Sequence, residues 1–230
     1  MIAGVDGCNG GWLVALATAW PPANCRLQVC GGFHEVLGAT VGCGVVVVDL
    51  PIGLPEGAGG RECDVLARQR LGRAACRVFN PLPRSLLQCA DYAACNRRHR
   101  VRFQKGLSRQ AFALRARLLE VDRHMTPALQ ERVFEFHPEL VWQRLNGGEP
   151  LPSKHTPEGL RRRKALLRGA IPNLDALLAQ RPVGCRPDDV LDALVGLELA
   201  HRLAQKPGRA QRLPESPRCD ARGLRMEIWF

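Results

Sequence analysis

The chain carries ten cysteines but no C-x-x-C pair, which argues against zinc ribbons and thioredoxin-like redox sites. No apolar run approaches the roughly 20 residues that a membrane-spanning helix needs. No internal repeat and no low-complexity segment stands out. The glycines at 7–11 make only a GxxG-like turn, and neither a Walker nor a dinucleotide-binding motif is present. The opening MIAGVDGCNGGW lacks the basic start and cleavage site of a signal peptide, so a cytoplasmic setting with reduced thiols is expected. Cys89, Cys95 and His99 are a loose set of soft donors without the paired spacing usual for zinc.

What remains is an ordinary globular composition, 46% hydrophobic and 24% charged over 230 residues. That length buries a substantial core in one domain, or in one domain with an insertion. The net charge is +11. Basic residues bunch at Arg97-Arg98-His99-Arg100, Arg102 and Lys105, and again at Arg161-Arg162-Arg163-Lys164. Such patches suit a phosphate backbone. They equally suit the solvated faces of an arginine-rich protein.

Residues 2–17 read as a hairpin, Ile2–Val5 and Trp12–Ala17 around a Gly-rich turn. Cys25–Gly31 reads as a third strand and His34–Thr40 as a short helix. Val45–Asp49 holds four valines in a row, the pattern of a strand buried on both faces. Residues 61–130 are mostly helical in pattern, with a basic loop over 96–106. Val133–Phe136 is a short strand stopped by Pro138. Leu160–Gly169, Leu174–Gln180 and Asp188–Gln205 read as helices, the last with Pro187 in its first turn. This order predicts an α/β fold with a mixed five-stranded sheet flanked by helices. A large helical insertion, about residues 61–131, follows the fourth strand.

The acids carry the chemistry. Asp6 follows the first strand and Asp49 ends the valine strand, at carboxyl ends where open α/β sheets place ligands. Glu135 lies between Phe134 and Phe136, facing solvent or the cluster. Asp188, Asp189 and Asp192 open the last helix; 189 and 192 share a face, as do 188 and 192. Carboxylates brought together resist ionising, and a hard dication such as Mg2+ or Mn2+ turns that repulsion into binding. Two such ions roughly 4 Å apart can activate water and stabilise a leaving oxygen. Plainer roles exist for four acids, a turn residue for Asp6 or Asp49 and a helix start for Asp188 or Asp189; Asp192, one turn into the helix between Leu191, Ala193 and Leu194, is harder to dismiss. His137 could shuttle a proton or simply pack beside Pro138. Arg61, Asp64 and Arg68 share a helical face, as an ion-pair network or as phosphate contacts. Lys105, Ser108 and Lys154 are further candidates for anion contact, with Arg98 and Arg100.

The strings GVDGCNGGW at 4–12, VVVVDLPIGLP at 45–55, RECDVLAR at 61–68, KGLSRQ at 105–110 and EFHPEL at 135–140 resemble the domain-of-unknown-function family numbered 429. So do LNGG at 145–148, SKHTPEG at 153–159, DDVLDAL at 188–194 and RMEIWF at 225–230. That family is described as predicted ribonuclease H-like nucleases. The resemblance implies a ribonuclease H-like fold and a metal-dependent nuclease acting on DNA or RNA. The last helix also resembles that of Holliday-junction resolvases, which implies Asp6, Asp49, Asp189 and Asp192 as holders of Mg2+ or Mn2+. Two departures stand out. Asp49 stands where resolvases have Glu, and Cys76-Arg77-Val78-Phe79-Asn80 stands where the family shows small hydroxyl residues and Pro. Two other functions compete. A non-catalytic nucleic-acid-binding protein with a relict site needs the charge but not the acids. An actin-like or sugar-kinase-like phosphotransferase also opens with an Asp-Gly hairpin, but needs a second homologous half for which 230 residues are short.

Overall fold

The computed structural model describes residues 1–22, 24–57, 60–205 and 210–230. In chain order the elements are β1 (Ile2–Cys8), β2 (Gly11–Ala17), β3 (Arg26–Cys30), α1 (Phe33–Ala39), β4 (Val45–Val48), α2 (Glu62–Leu71), α3 (Tyr92–Phe103), α4 (Arg109–Ala113), α5 (Arg115–His124), β5 (Val133–Glu135), α6 (Pro138–Leu145), α7 (Pro157–Arg168), α8 (Leu174–Ala179), α9 (Pro187–Gln205), β6 (Arg212–Leu213) and β7 (Ile228–Trp229). The chain divides into two compact units. One comprises 1–50, 132–212 and 229–230; the other comprises 51–131 and 213–228.

The first unit holds a five-stranded mixed sheet in the order β3-β2-β1-β4-β5. β3, β2 and β1 run antiparallel; β4 and β5 lie parallel to β1. The valine run sits centrally because β1 and β5 pair with its two edges and its residues 46–48 are wholly buried. Alternation assigns the faces. Trp12 of β2 meets Phe33 of α1, ring centroids 5.5 Å apart. The other face, with Gly4 and Val47, is covered by α9. A Cβ on Gly4 would stand 2.2 Å from both Ala193 O and Leu197 N, so β1 and α9 touch backbone to backbone. Gly196 answers from the helix, where a Cβ would lie 2.7 Å from Phe136 and 3.2 Å from Val47.

Two local differences from the sequence pattern have clear causes. β5 ends before Pro138 as expected, but Pro138 opens a helix that the pattern did not show. It stands at the first turn of α6, where its missing N–H costs nothing, and His137 caps the helix by accepting the Glu139 N–H at 3.2 Å. The basic stretch within 96–106 is not a loop up to Phe103: it is α3, capped by Asp91, whose side chain accepts the Ala94 N–H at 2.8 Å.

The second unit contains α2 to α5. Its polar anchors are the buried pair Arg61 and Asp64, and half-buried Arg84 with Asp122, Asp220 and the more exposed Glu56. No helix among the described residues is long and apolar enough to cross a membrane. All ten cysteines are free thiols.

Candidate functional site

The parallel register brings the first two acids together. Gly4 pairs with Val47 and Val5 with Val48, and the Asp49 N–H donates to Val5 O at 2.9 Å. Asp6 and Asp49 therefore leave neighbouring strands side by side. Both lie two residues beyond positions that face α9, so both point to the α9 side of the sheet. The start of α9 is tied to the β1–β2 turn: the Asn9 N–H donates to Gly184 O at 3.0 Å. A Cβ on Gly184 would fall 2.7 Å from Gly10 N. This close join sets the acids of α9 against Asp6.

Asp192 is 1% exposed and doubly held. Its Oδ1 accepts the Trp142 indole N–H at 2.8 Å, and its Oδ2 accepts Lys154 Nζ at 2.6 Å. Lys154 Nζ also lies 3.6 Å from Asp188 Oδ2. Burial pushes the Asp6 carboxyl well above the usual carboxylate range, and the charges of Asp49, Asp192 and Asp189 push it further. Burial likewise raises Asp49, as does Asp192, while His137, Lys154 and a hydrogen bond with Asp6 restrain the rise. Burial alone would lower the Lys154 ammonium, but Asp192, Asp6 and Asp49 outweigh it and keep it firmly charged.

Asp189 and Asp192 have different hydrogen-bond partners. Asp189 Oδ2 accepts the Arg186 N–H at 2.8 Å, reaching back to the residue before the helix as a third-position acid does in a capping box. Its charge still reaches Asp6. Asp188, four residues before Asp192, is the one that shares Lys154. Glu135 does not join the cluster. Phe136 contacts the α9 side, so its neighbour Glu135 points to the opposite face, where it is buried. His137 does join, through its influence on Asp49.

The expected anion contacts divide. Arg61 is no surface residue: it is 1% exposed, paired with Asp64 at 2.6 Å and bonded to the Ile52 and Gly53 carbonyls. Arg68 donates to Val78 O at 3.1 Å and is half-buried. Arg98, Arg100 and Lys105 are exposed, the first two on α3. Ser108 caps α4 by accepting the Ala111 N–H at 3.1 Å. His99 turns its Nδ1 to Lys105 O at 2.6 Å. Within Arg161–Lys164, Arg163 is wholly buried and grips Glu139 of α6 through both carboxylate oxygens at 2.8 and 3.0 Å. It also holds Pro152 O at 2.9 Å. Arg163 thereby fixes the segment that presents Lys154. A buried arginine inside a basic run gave no sequence signal, since burial depends on the α6 carboxylate it meets.

The donor set tests the fit to a metal. All the acids offer hard oxygens, and the repulsion that raises Asp6 is what a dication offsets. In this arrangement each Asp192 oxygen accepts one hydrogen bond, Oδ1 from Trp142 and Oδ2 from Lys154. Among the described residues no three His, Cys, Asp or Glu side chains are set to hold a metal ion. The donor atoms are hard oxygens of the right kind but are not so placed among the described residues, and Lys154 stands at the cluster as its cation.

A family model described as "Protein of unknown function (DUF429)" matches residues 4–218. No curated protein and no solved structure matches the chain.

Proposed function

The chain belongs to the DUF429 family, and from that premise we propose that it is a ribonuclease H-like, divalent-metal-dependent nuclease acting on DNA or RNA. The observation that carries the reading is the convergence of Asp6, Asp49 and Asp192 on one side of the sheet. The strand succession supports the fold half: three antiparallel strands, a helix, then two strands parallel to the first.

Asp6, Asp49 and Asp192 are the proposed holders of Mg2+ or Mn2+, with Asp189 adding negative charge from the helix start. The bound ion would supply a water of lowered pKa and charge stabilisation at the leaving oxygen. The chain's own groups do the rest. Trp142 fixes Asp192 through Oδ1. His137, beside Asp49, is placed to hold or pass a proton. Arg98, Arg100 and Lys105 of the second unit offer charge to a phosphate backbone.

The test is cleavage of single-stranded, duplex and branched DNA and of RNA, with Mg2+, Mn2+ or chelator. We expect metal-dependent cleavage, reduced at least 100-fold, on the order of what one lost charge stabiliser costs, in both Asp6→Asn and Asp192→Asn. Equal behaviour of wild type and variants would sink the reading. One observation favours a second reading, a non-catalytic nucleic-acid-binding protein: Lys154 already balances the cluster. Salt-sensitive binding without cleavage would establish it.

A further inference from the structure

We propose that Cys8 and Cys185 are a redox-responsive thiol pair: under a peroxide oxidant they close to a disulfide that bolts the β1–β2 turn to the start of α9. The inference stands apart from the nuclease reading. Backbone geometry carries it. The Asn9 N–H donates to Gly184 O at 3.0 Å, and a Cβ on Gly184 would fall 2.7 Å from Gly10 N. A Cβ on Gly10 would in turn lie 3.3 Å from Val183 O. Cys8 precedes Asn9 and Cys185 follows Gly184, so each thiol is one residue away from this contact. Side-chain direction brings them together. Cys8 shares the parity of Gly4 on β1, which faces α9, so it too points to the α9 side. The two thiols are in hydrogen-bond contact. Cys8 is buried, whereas Cys185 is half-buried and open to a small oxidant.

The chemistry balances with hydrogen peroxide as a two-electron oxidant. The Cys185 sulfur attacks one peroxide oxygen, the O–O bond breaks, and the released hydroxide takes the thiol proton as water. Cys8 then attacks the sulfur of the resulting sulfenic acid. The S–S bond forms, the S–O bond breaks, and a second water leaves with the Cys8 proton. Two thiols are oxidised and one peroxide is reduced to two waters. Burial and the Cys8 hydrogen bond push the Cys185 thiol up to about 12, which keeps its thiolate scarce and the reaction slow. The pair therefore answers sustained oxidant. Its consequence is local. Asp6 lies just before Cys8 in β1, and Asp189 just after Cys185 in α9, so the bond fixes the join that sets these acids together.

The test uses the full-length wild-type chain, reduced and then exposed to hydrogen peroxide until exposed Cys76 is consumed. Remaining thiols are blocked with N-ethylmaleimide, and the chain is digested with trypsin and chymotrypsin, which part Cys8 from Cys25 after Trp12. We expect mass spectrometry to find most of Cys185 linked to Cys8, and both thiols to return on adding dithiothreitol. The bond closes a loop of roughly 180 residues, so the melting temperature should rise on oxidation by at least about 5 °C. Cys185→Ser should show no such rise. Cys185 left free, carried on to sulfinic acid, or linked to a different cysteine while Cys76 is consumed would overturn the proposal. So would a Cys8–Cys185 link that leaves the melting temperature unchanged. If Cys185→Ser fails to fold, the linked peptide and the wild-type melting shift decide alone.

Discussion

Replacing Gly4 by alanine probes the contact on which the acid cluster depends. The new Cβ would stand 2.2 Å from Ala193 O and Leu197 N and 2.7 Å from Gly196 C. Ordinary contact begins at 3.4 Å, so α9 must lift from β1 by about 3.4 − 2.2 = 1.2 Å. The opposing atoms are backbone and cannot rotate aside. Overpacking of cores costs about 1–3 kcal/mol, occasionally more, and a rigid clash belongs at the top of that range. At about 2–4 °C per kcal/mol for a chain of this size, the melting temperature should fall by roughly 6–12 °C. The same lift would carry Asp192 away from Asp6, so Mn2+ binding should weaken as well. Thermal unfolding followed by circular dichroism measures the first effect. Gly38→Ala in α1 is the control: nothing lies within 4 Å of its Cβ, so it should be neutral or stabilising by up to about 1 kcal/mol. If Gly4→Ala melts within 2 °C of wild type, the backbone-to-backbone contact is not what seats α9.

Two further outcomes follow from ion pairs. Arg163→Met removes the guanidinium that grips both Glu139 oxygens, and removing one partner of a buried pair costs about 3–5 kcal/mol; Arg163→Met with Glu139→Gln should recover part of that in urea unfolding, and a double variant worse than the single would contradict the pairing. Asp220 is a pH probe. Burial would raise its carboxyl, but hydrogen bonds from Arg84 and from the Leu54, Leu224 and Arg222 amides outweigh burial and hold it below its ordinary value of 3.8. A carboxyl depressed in the folded state stabilises above its unfolded value, and that stability is lost as pH falls through the folded value. Asp220→Asn should therefore be less stable than wild type at pH 7, with the gap closing on acidification below about pH 4. A gap unchanged down to pH 2.5 would reject this account.

The elements of the sheet were legible because their signals are local. Four consecutive valines, a Gly-rich turn between apolar strands and a long apolar helix after Pro187 each depend on neighbours in sequence. Asp6 and Asp49 stood out for the same reason, as acids ending strands. α6 was hidden because Pro138 reads alike as a strand stop and as a helix first turn, and only the His137 cap and the packing of Trp142 distinguish them. The arginines misled in part. Arg61 and Arg163 look like their exposed neighbours in sequence, yet each is buried against a carboxylate.

Local pattern and residue type thus determined a mixed sheet, acids at strand ends and a cationic chain. Tertiary structure alone decided which acids meet, because sheet register and the Gly4–α9 contact set Asp6, Asp49 and Asp192 on one side and turned Glu135 to the other. It alone decided that a lysine from a distant segment stands among them. Charge pairing acts through space over a few ångströms, and separation along the chain carries no record of it.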